Sequence, residues 1–264
     1  MAKSIDVPVG LREFNRLFCE LEYIKWASSV FDDLLDYLVQ CFLIEKEPTV
    51  RERLQDTYKA RYDVLPQLFR ELVLCMDKMI VDDTDWYDPL GEYYEVITSR
   101  SKSSAMGQFF TPKCVCDLMT QLNHPEPKKG AGLTINDPAC GSGRTLLSFH
   151  ALNPGNYLFG EDLDPMCVRM TAVNFCLHGV VGQVCHIDTL GMNWHSGGYE
   201  TWVRKGVPVM RRITKEESHT WTMWQRRLAE ANKPEPTPEP TPTAPEIINP
   251  PFTPMQPGTQ LSLF

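Results

Sequence analysis

Residues Thr134 to Thr145 read TINDPACGSGRT, and the organisation of the chain follows from how they are read. A short apolar start (Leu133, Ile135) runs into Asp137-Pro138 and then into small residues ending in Gly141-Ser142-Gly143. An amphipathic segment, RTLLSFHAL, follows. Strand, glycine turn and helix in that order bring backbone N–H groups close to a ligand at a helix N-terminus. Two common owners of such turns are excluded. A phosphate-binding GxxxxGK[ST] loop needs a lysine that does not follow Gly143, and a dinucleotide fingerprint needs a third glycine where residue 146 is leucine.

Downstream, YLFGEDLDPMCVRMTAVNFCLHG reads as a strand from Tyr157 to Gly160 that ends in acids and enters a helix. A carboxylate at that strand end, about 20 residues past the glycines, is placed to take both ribose hydroxyls of a nucleoside-like cofactor. Glu161 and Asp162 are the candidates, and Asp164-Pro165 reads as the cap of the next helix. GQVCHIDTL reads as a third strand ending in Asp188-Thr189. Upstream lies GQFFTP, Gly107 to Pro112. A small-residue loop, two aromatics and a Thr-Pro helix start suit a lid over a flat ligand, or a hydrophobic staple into the helix PKCVCDLMTQL.

DPACGSG at 137–143, in that sequence of flanking motifs, resembles the AdoMet-binding first motif of adenine-specific DNA methyltransferases, above all the methylation (M) subunits of type I restriction-modification systems. The resemblance covers roughly residues 86–190. It implies an α/β fold, with an AdoMet-dependent methyltransferase (Rossmann-like) sheet, apparently truncated, preceded by an α-helical N-terminal region. It implies S-adenosyl-L-methionine as cofactor, with Gln108, Phe109, Phe110, Thr111 and Pro112 lying against it. Asp137, Pro138, Ala139, Gly141, Ser142 and Gly143 would bind it, the Gly141–Gly143 turn at its methionine end. In the family the ribose acid precedes an apolar residue, which makes it Asp162 followed by Leu163, with Asp188 and Thr189 at the adenine. Asp88-Pro89-Leu90-Gly91 is similar to the turn that opens the family's link into the methyltransferase domain.

Asn249-Pro250-Pro251-Phe252 is similar to the catalytic motif of amino-methyltransferases acting on adenine N6 or cytosine N4. The asparagine carboxamide and the carbonyl after it accept the two hydrogens of an exocyclic amine, which aims its lone pair at the methyl group. The aromatic residue stacks on a base flipped out of the duplex. Positioning and electrostatics then carry most of the rate, with no metal required. In the family an apolar strand leads into this motif, whereas here only Ile247-Ile248 precede it, in a stretch where proline pairs also arise from composition. The pentapeptide Gln260-Leu261-Ser262-Leu263-Phe264 resembles the bacterial sliding-clamp-binding sequence QL[SD]LF, the alternative being a terminus packed on its own domain.

The 264 residues allow one full core, or one core and a small accessory domain. No apolar run is long enough for a membrane span, and MAKSIDVPVG lacks the apolar centre of a signal peptide, so a cytoplasmic location is expected. Nine scattered cysteines read as reduced thiols, because Cys114 and Cys116 stand without a second pair. The net charge of −8 resides in residues 1–100, which carry 20 acids against 12 bases. By contrast, residues 202–227 carry seven bases against Glu216 and Glu217. That stretch, with Trp202, Trp221 and Trp224, is either a face for phosphates and unstacked bases or an amphipathic helix with buried tryptophans and solvated arginines.

Residues 10–83 carry apolar side chains at three- and four-residue steps and read as helices, interrupted at Pro48. Ten of the 21 prolines fall between 234 and 257, an extended linker composition without the means to form a core. The expected division is a helical region 1–85, a methyltransferase domain 86–232, and a tail 233–264. The function implied is methylation of adenine N6 in DNA. The alternative is a catalytically incomplete AdoMet- and DNA-binding module, or half of a split methyltransferase, tethered to the sliding clamp. DNA, the clamp and a specificity or complementing subunit are the expected partners.

Overall fold

The computed structural model describes residues 7–99, 110–124, 126 and 132–231. By compactness the chain divides into Met1–Gln225 and Arg226–Phe264. In the second unit the described residues, 226–231, form the last turns of a helix, with an Arg226–Glu230 ion pair one turn apart.

Four helices open the first unit: α1 (Arg12–Glu22), α2 (Ala27–Phe42), α3 (Pro48–Tyr58) and α4 (Val64–Met79). Their apolar spacing sets what they bury. On α2 it is Val30, Phe31, Leu34, Leu35, Leu38 and Val39, and on α4 Leu65, Leu68, Leu72, Cys75 and Met76. Pro48 does not merely interrupt; it occupies the first turn of α3, where a missing N–H costs nothing. The acid of α2 that points inward, Asp33, is 1% exposed and receives Lys25, Arg53 and the Tyr58 hydroxyl. A buried carboxylate is tolerated only with such partners.

Next, α5 (Pro89–Thr98) is capped by the Asp88 carboxylate, which accepts from the Gly91 amide. Its Tyr93 ring meets Phe14 and Phe18 edge-on and its hydroxyl donates to Asn15, tying α5 to α1. After α6 (Lys113–Asn123) the sheet begins. Strand β1 (Thr134–Asp137), α7 (Arg144–Leu152), β2 (Tyr157–Asp162), α8 (Pro165–His178) and β3 (Val181–Asp188) form successive crossover units, with β1, β2 and β3 parallel. β4 (Asn193–Arg204) and β5 (Val207–Ile213) then add an antiparallel hairpin beyond β3. Its tight turn uses positive φ at Lys205 (51°) and Gly206 (80°), the backbone twist that two-residue hairpin loops demand.

The order β1-β2-β3-β4-β5 places β1, which feeds the glycine turn, at one margin of the sheet, with no strand on its other side among the described residues. Helix α7 differs from the amphipathic expectation, and α8 is buried to the same degree. α7 buries six of its nine residues and α8 nine of fourteen, because both are packed on more than one side. α8 lies between the sheet and α2, and Arg169 on α8 reaches Asp32 and Asp36 on α2. The other face of β3 carries a smaller core of Cys185, Ile187, Ile213 and Trp221, with Trp194 and Trp224 against it. Trp221 and Trp224 belong to the start of α9 (His219–Ala231), and Trp194 to β4. No described helix is long and apolar enough to cross a membrane.

Candidate functional site

The carboxyl ends of β1 and β2 converge on one cavity of about 210 Å3. It is lined by Phe110 and Thr111, by Asp137 and Ala139 to Ser142 of the glycine turn, by Arg144 and Thr145 of α7, and by Asp162 and Cys167. A crevice at the carboxyl end of parallel strands is where open α/β sheets place ligands. The volume is that bounded by described residues.

The turn is built from the backbone outward. Asp137 accepts from the Ala139 amide at 3.1 Å, which bends the chain off β1, and the Cys140 amide donates to the Glu161 carbonyl of β2 at 2.9 Å. Gly141 and Gly143 take left-handed φ values of 57° and 91°. A Cβ on Gly141 would lie 2.8 Å from the Phe110 ring, and one on Gly143 would lie 3.0 Å from the Thr171 methyl. Both positions therefore exclude side chains by conformation and by contact. Gly143 is also the residue from which α7 starts, so the turn delivers N–H groups at a helix N-terminus.

Asp162 stands across the turn. Its Oδ2 accepts from the Gly141 amide and its Oδ1 from the Asp164 amide, both at 2.8 Å. Burial raises its carboxyl above the ordinary value, against the downward pull of those two amides. A partly desolvated carboxylate with acceptor capacity left, facing a cavity, is suited to a pair of hydroxyl donors. Glu161, the other candidate, points to the opposite face; it is 6% exposed and faces the Asn136 amide at 3.3 Å. Leu163 is 60% exposed, and its carbonyl lies 2.9 Å from His186 Nε2.

Asp188 ends β3 and Thr189 opens the loop after it, and neither lines the cavity. The Asp188 carboxylate is occupied by the amides of Leu190 and Gly191. Thr189 donates to the Pro138 carbonyl at 3.0 Å, which ties the loop after β3 to the loop after β1. Pro112 caps α6 and Asp164 caps α8, accepting from Met166. Gln108 and Phe109 lie outside the described residues, as do Asn249, Pro250, Pro251 and Phe252 and the terminal residues Gln260, Leu261, Ser262, Leu263 and Phe264.

The cavity also contains residues that the motif reading passed over: Cys140, Arg144, Thr145 and Cys167. Cys140 and Arg144 lie inside or beside the quoted motif, but nothing in the sequence says they face inward. Cys167 comes from α8, 24 positions past Gly143, and had no signal. Burial pushes both thiols up, with Asp162 adding to it, so they remain protonated and act as small apolar walls. All nine cysteines are free.

The basic stretch is partly neutralised. Arg211 pairs with Glu200 and Glu217, Arg212 with Glu47, and Lys215 lies over the Trp221 ring. Trp221 is buried and Trp224 half-buried, while Arg226 is solvated, which is the amphipathic-helix alternative. Arg204 and Lys205 remain exposed at the hairpin turn. Among the described residues no cluster of three or more His, Cys, Asp or Glu side chains could hold a metal.

Comparison with known proteins gives three related likenesses. The chain is 28% identical over 171 residues to the type I restriction enzyme MjaVII methylase subunit of Methanocaldococcus jannaschii, covering 55% of this chain and 29% of that protein. It is 30% identical over 103 residues to the HindI methylase subunit of Haemophilus influenzae, covering 35% and 22%. A solved type I restriction-modification methyltransferase subunit from Streptococcus thermophilus aligns at 28% identity, 52% and 29% coverage and a TM-score of 0.35. The chain thus spans less than a third of the length of these relatives. The N-6 DNA Methylase family model matches residues 85–210, the interval holding the glycine turn, Asp162 and all but the last strand's end.

Proposed function

We propose that the chain acts as a DNA methyltransferase, transferring a methyl group from S-adenosyl-L-methionine to adenine N6. The observation that carries the proposal is the convergence of the Gly141–Gly143 turn, Asp162 and Phe110 on one cavity at the carboxyl ends of parallel strands. The donor set suits a nucleoside-containing cofactor. Asp162 would take the ribose hydroxyls, the turn amides and helix N-terminus the methionine carboxylate, and the Phe110 ring an apolar flank. Asp188 and Thr189, at the end of β3 and just after it, would meet the adenine. When bound, the cofactor supplies an electrophilic methyl group.

The chain's own task is then to present the base. Asn249 and the Pro250 carbonyl would accept the two hydrogens of the exocyclic amine, and Phe252 would stack on the flipped adenine. Gln260 to Phe264 would dock on the sliding clamp, a tether that raises local concentration on DNA. A cytoplasmic location and a specificity subunit, as partner for target choice, complete the proposal.

One observation favours a second reading. β1 has no strand on its outer side among the described residues, so a partner polypeptide that completes the sheet would make this chain half of a split enzyme. The experiment is transfer of labelled methyl from AdoMet to double-stranded DNA, comparing the protein with its Asn249→Ala variant. Transfer lost in the variant is the expected result. Transfer indifferent to Asn249 refutes the role of the tail motif, and cofactor binding without transfer favours the split enzyme.

A further inference from the structure

Asp88 belongs to the turn before α5, and the catalytic proposal makes no use of it. Its carboxylate is nevertheless the most heavily coordinated side chain near the cavity, at 2% exposure. Oδ1 accepts from the Gly91 amide and from Asn174 Nδ2, each at 2.8 Å. Oδ2 accepts from Ser142 Oγ at 2.6 Å and Arg144 Nε at 2.8 Å. Four donors fill the roughly four acceptor positions of a carboxylate. They come from α5, the glycine turn, α7 and α8, so one side chain ties together every element behind the turn.

The packing leaves no slack. A Cβ on Gly91 would lie 2.0 Å from Asp88 Oδ2 and 2.6 Å from Ser142 Oγ, so α5 seats directly on the turn. Asn174 also donates to the Ser142 carbonyl at 2.9 Å, and Thr171 to the Gly141 carbonyl at 2.8 Å. Arg144 stands in the first turn of α7, where its positive charge opposes the helix macrodipole and burial. Asp88 and Glu95 offset both costs, and they occupy the guanidinium. Held there, the guanidinium carbon lies 5.4 Å from the centre of the Phe110 ring, which in turn packs on Gly141.

We propose that Asp88 is a positioning residue for cofactor binding: from the side away from the ligand, it holds the Gly141–Gly143 amides in their ligand-facing geometry and, through Arg144, sets the Phe110 wall. The inference rests on the AdoMet reading of the cavity. Asparagine at 88 keeps the shape but turns an NH2 group toward donors that need an acceptor, so the turn loses its anchor while the cavity lining is unchanged.

The test measures binding of AdoMet and S-adenosylhomocysteine by calorimetry to the full chain and to Asp88→Asn, with Asp33→Asn as a reference. Asp33 is also a buried, multiply paired carboxylate, but its partners Lys25, Arg53 and Tyr58 lie in the N-terminal helices. The expected result is affinity at least tenfold weaker for Asp88→Asn and within twofold of wild type for Asp33→Asn. Amide exchange should rise in segment 138–146 of Asp88→Asn and stay unchanged in segment 181–188. If Asp88→Asn binds within twofold of wild type, the inference is overturned and the cofactor reading stands. If the wild type binds neither ligand, the cofactor reading falls and takes the inference with it. Should Asp88→Asn not fold, Glu95→Gln serves, since it weakens the same Arg144 clamp from a side chain that is 36% exposed. About threefold weaker binding with faster exchange in 138–146 is expected there, and no change in either refutes the inference.

Discussion

Asp162→Asn is the sharpest probe of the cavity. The wild-type carboxylate gives one lone pair to the Gly141 amide and one to the Asp164 amide, keeping two for a ligand. Asparagine retains a single acceptor atom and sets an NH2 group against one of those amides. For ligand binding, two charge-assisted hydrogen bonds are weakened or lost, at roughly 1.5–3 kcal/mol each. Allowing for the surviving acceptor, the loss is about 2–4 kcal/mol, or roughly 30- to 1,000-fold in Kd. For the ligand-free protein the two effects oppose. One lost amide bond costs about 1 kcal/mol, and removing a desolvated charge returns a similar amount, so stability should change by less than about 1 kcal/mol.

The pH dependence adds a second criterion. Burial sets the folded carboxyl above its ordinary value, so it protonates earlier on acidification than an exposed aspartate. For this group alone the folded state binds protons more readily than the unfolded chain, and its contribution to stability improves as pH falls through the raised value. Affinity must move the other way, because hydroxyl donors require the charged form. Calorimetric titration with AdoMet from neutral pH into the acid range should show binding weakening in the wild type and a flat profile in Asp162→Asn. Glu161→Gln, whose side chain lies off the cavity, should bind within threefold of wild type. Equal affinities for Asp162→Asn and wild type, or a pH profile that survives the substitution, would refute the assignment.

Three further outcomes follow from the packing. Burial lowers His150 from about 6.5 to about 4, with His178 opposing its charge, so the folded state keeps it neutral while the unfolded chain protonates. Its contribution is complete above about 6.5 and is lost as pH falls toward 4, roughly 3 kcal/mol at about 1.4 kcal/mol per unit; urea melts of His150→Leu should show a flatter acid limb. Gly143→Ala places a side chain at φ 91° against Thr171, which should cost roughly 1–3 kcal/mol and lower the thermal midpoint by several degrees, read by circular dichroism. Arg169→Ala leaves Asp32 without its cation and Asp36 with Arg53 alone, and should cost roughly 1–2 kcal/mol in denaturant melts, whereas truncation of solvated Arg226 should cost less than about 0.5.

The strand–turn–helix from Thr134 to Leu152 was legible because each step carries a local cause: Asp137 bends the chain, and two glycines permit the left-handed turn. Likewise Asp164-Pro165 announced α8, and the run before Asp188 announced β3. What was not legible was relational. RKGV at 204–207 specifies a hairpin, but not that the hairpin extends the sheet from β3 and leaves β1 marginal. The basic count over 202–227 left a face for phosphates and an amphipathic helix both open; it could not show that Glu200, Glu217 and Glu47, the last of them 165 residues from Arg212, pair with Arg211 and Arg212. The amphipathic reading of RTLLSFHAL also misjudged α7, since a helix packed on several sides has no polar face for a period to reveal.

Asp88 and Asp162 show why residue type alone under-determines a site. Both are aspartates near the same turn, and both receive one of its groups: Asp88 the Ser142 hydroxyl, Asp162 the Gly141 amide. Asp88 is approached from behind by four donors, one of them the Arg144 guanidinium, so its charge is spent inside the protein and nothing remains for a ligand. Among the described residues, Asp162 has two amide donors, no cation at hydrogen-bonding distance, and a cavity before it. A saturated, paired carboxylate rigidifies, and an unsaturated, desolvated one binds. The two substitutions should therefore separate. Asp88→Asn should loosen the turn and lower affinity through exchange-visible motion across 138–146; Asp162→Asn should lower affinity with any faster exchange confined to the Gly141 or Asp164 amide it releases. Equal exchange behaviour in the two variants would mean that the turn is one cooperative unit in which the direction of approach makes no difference.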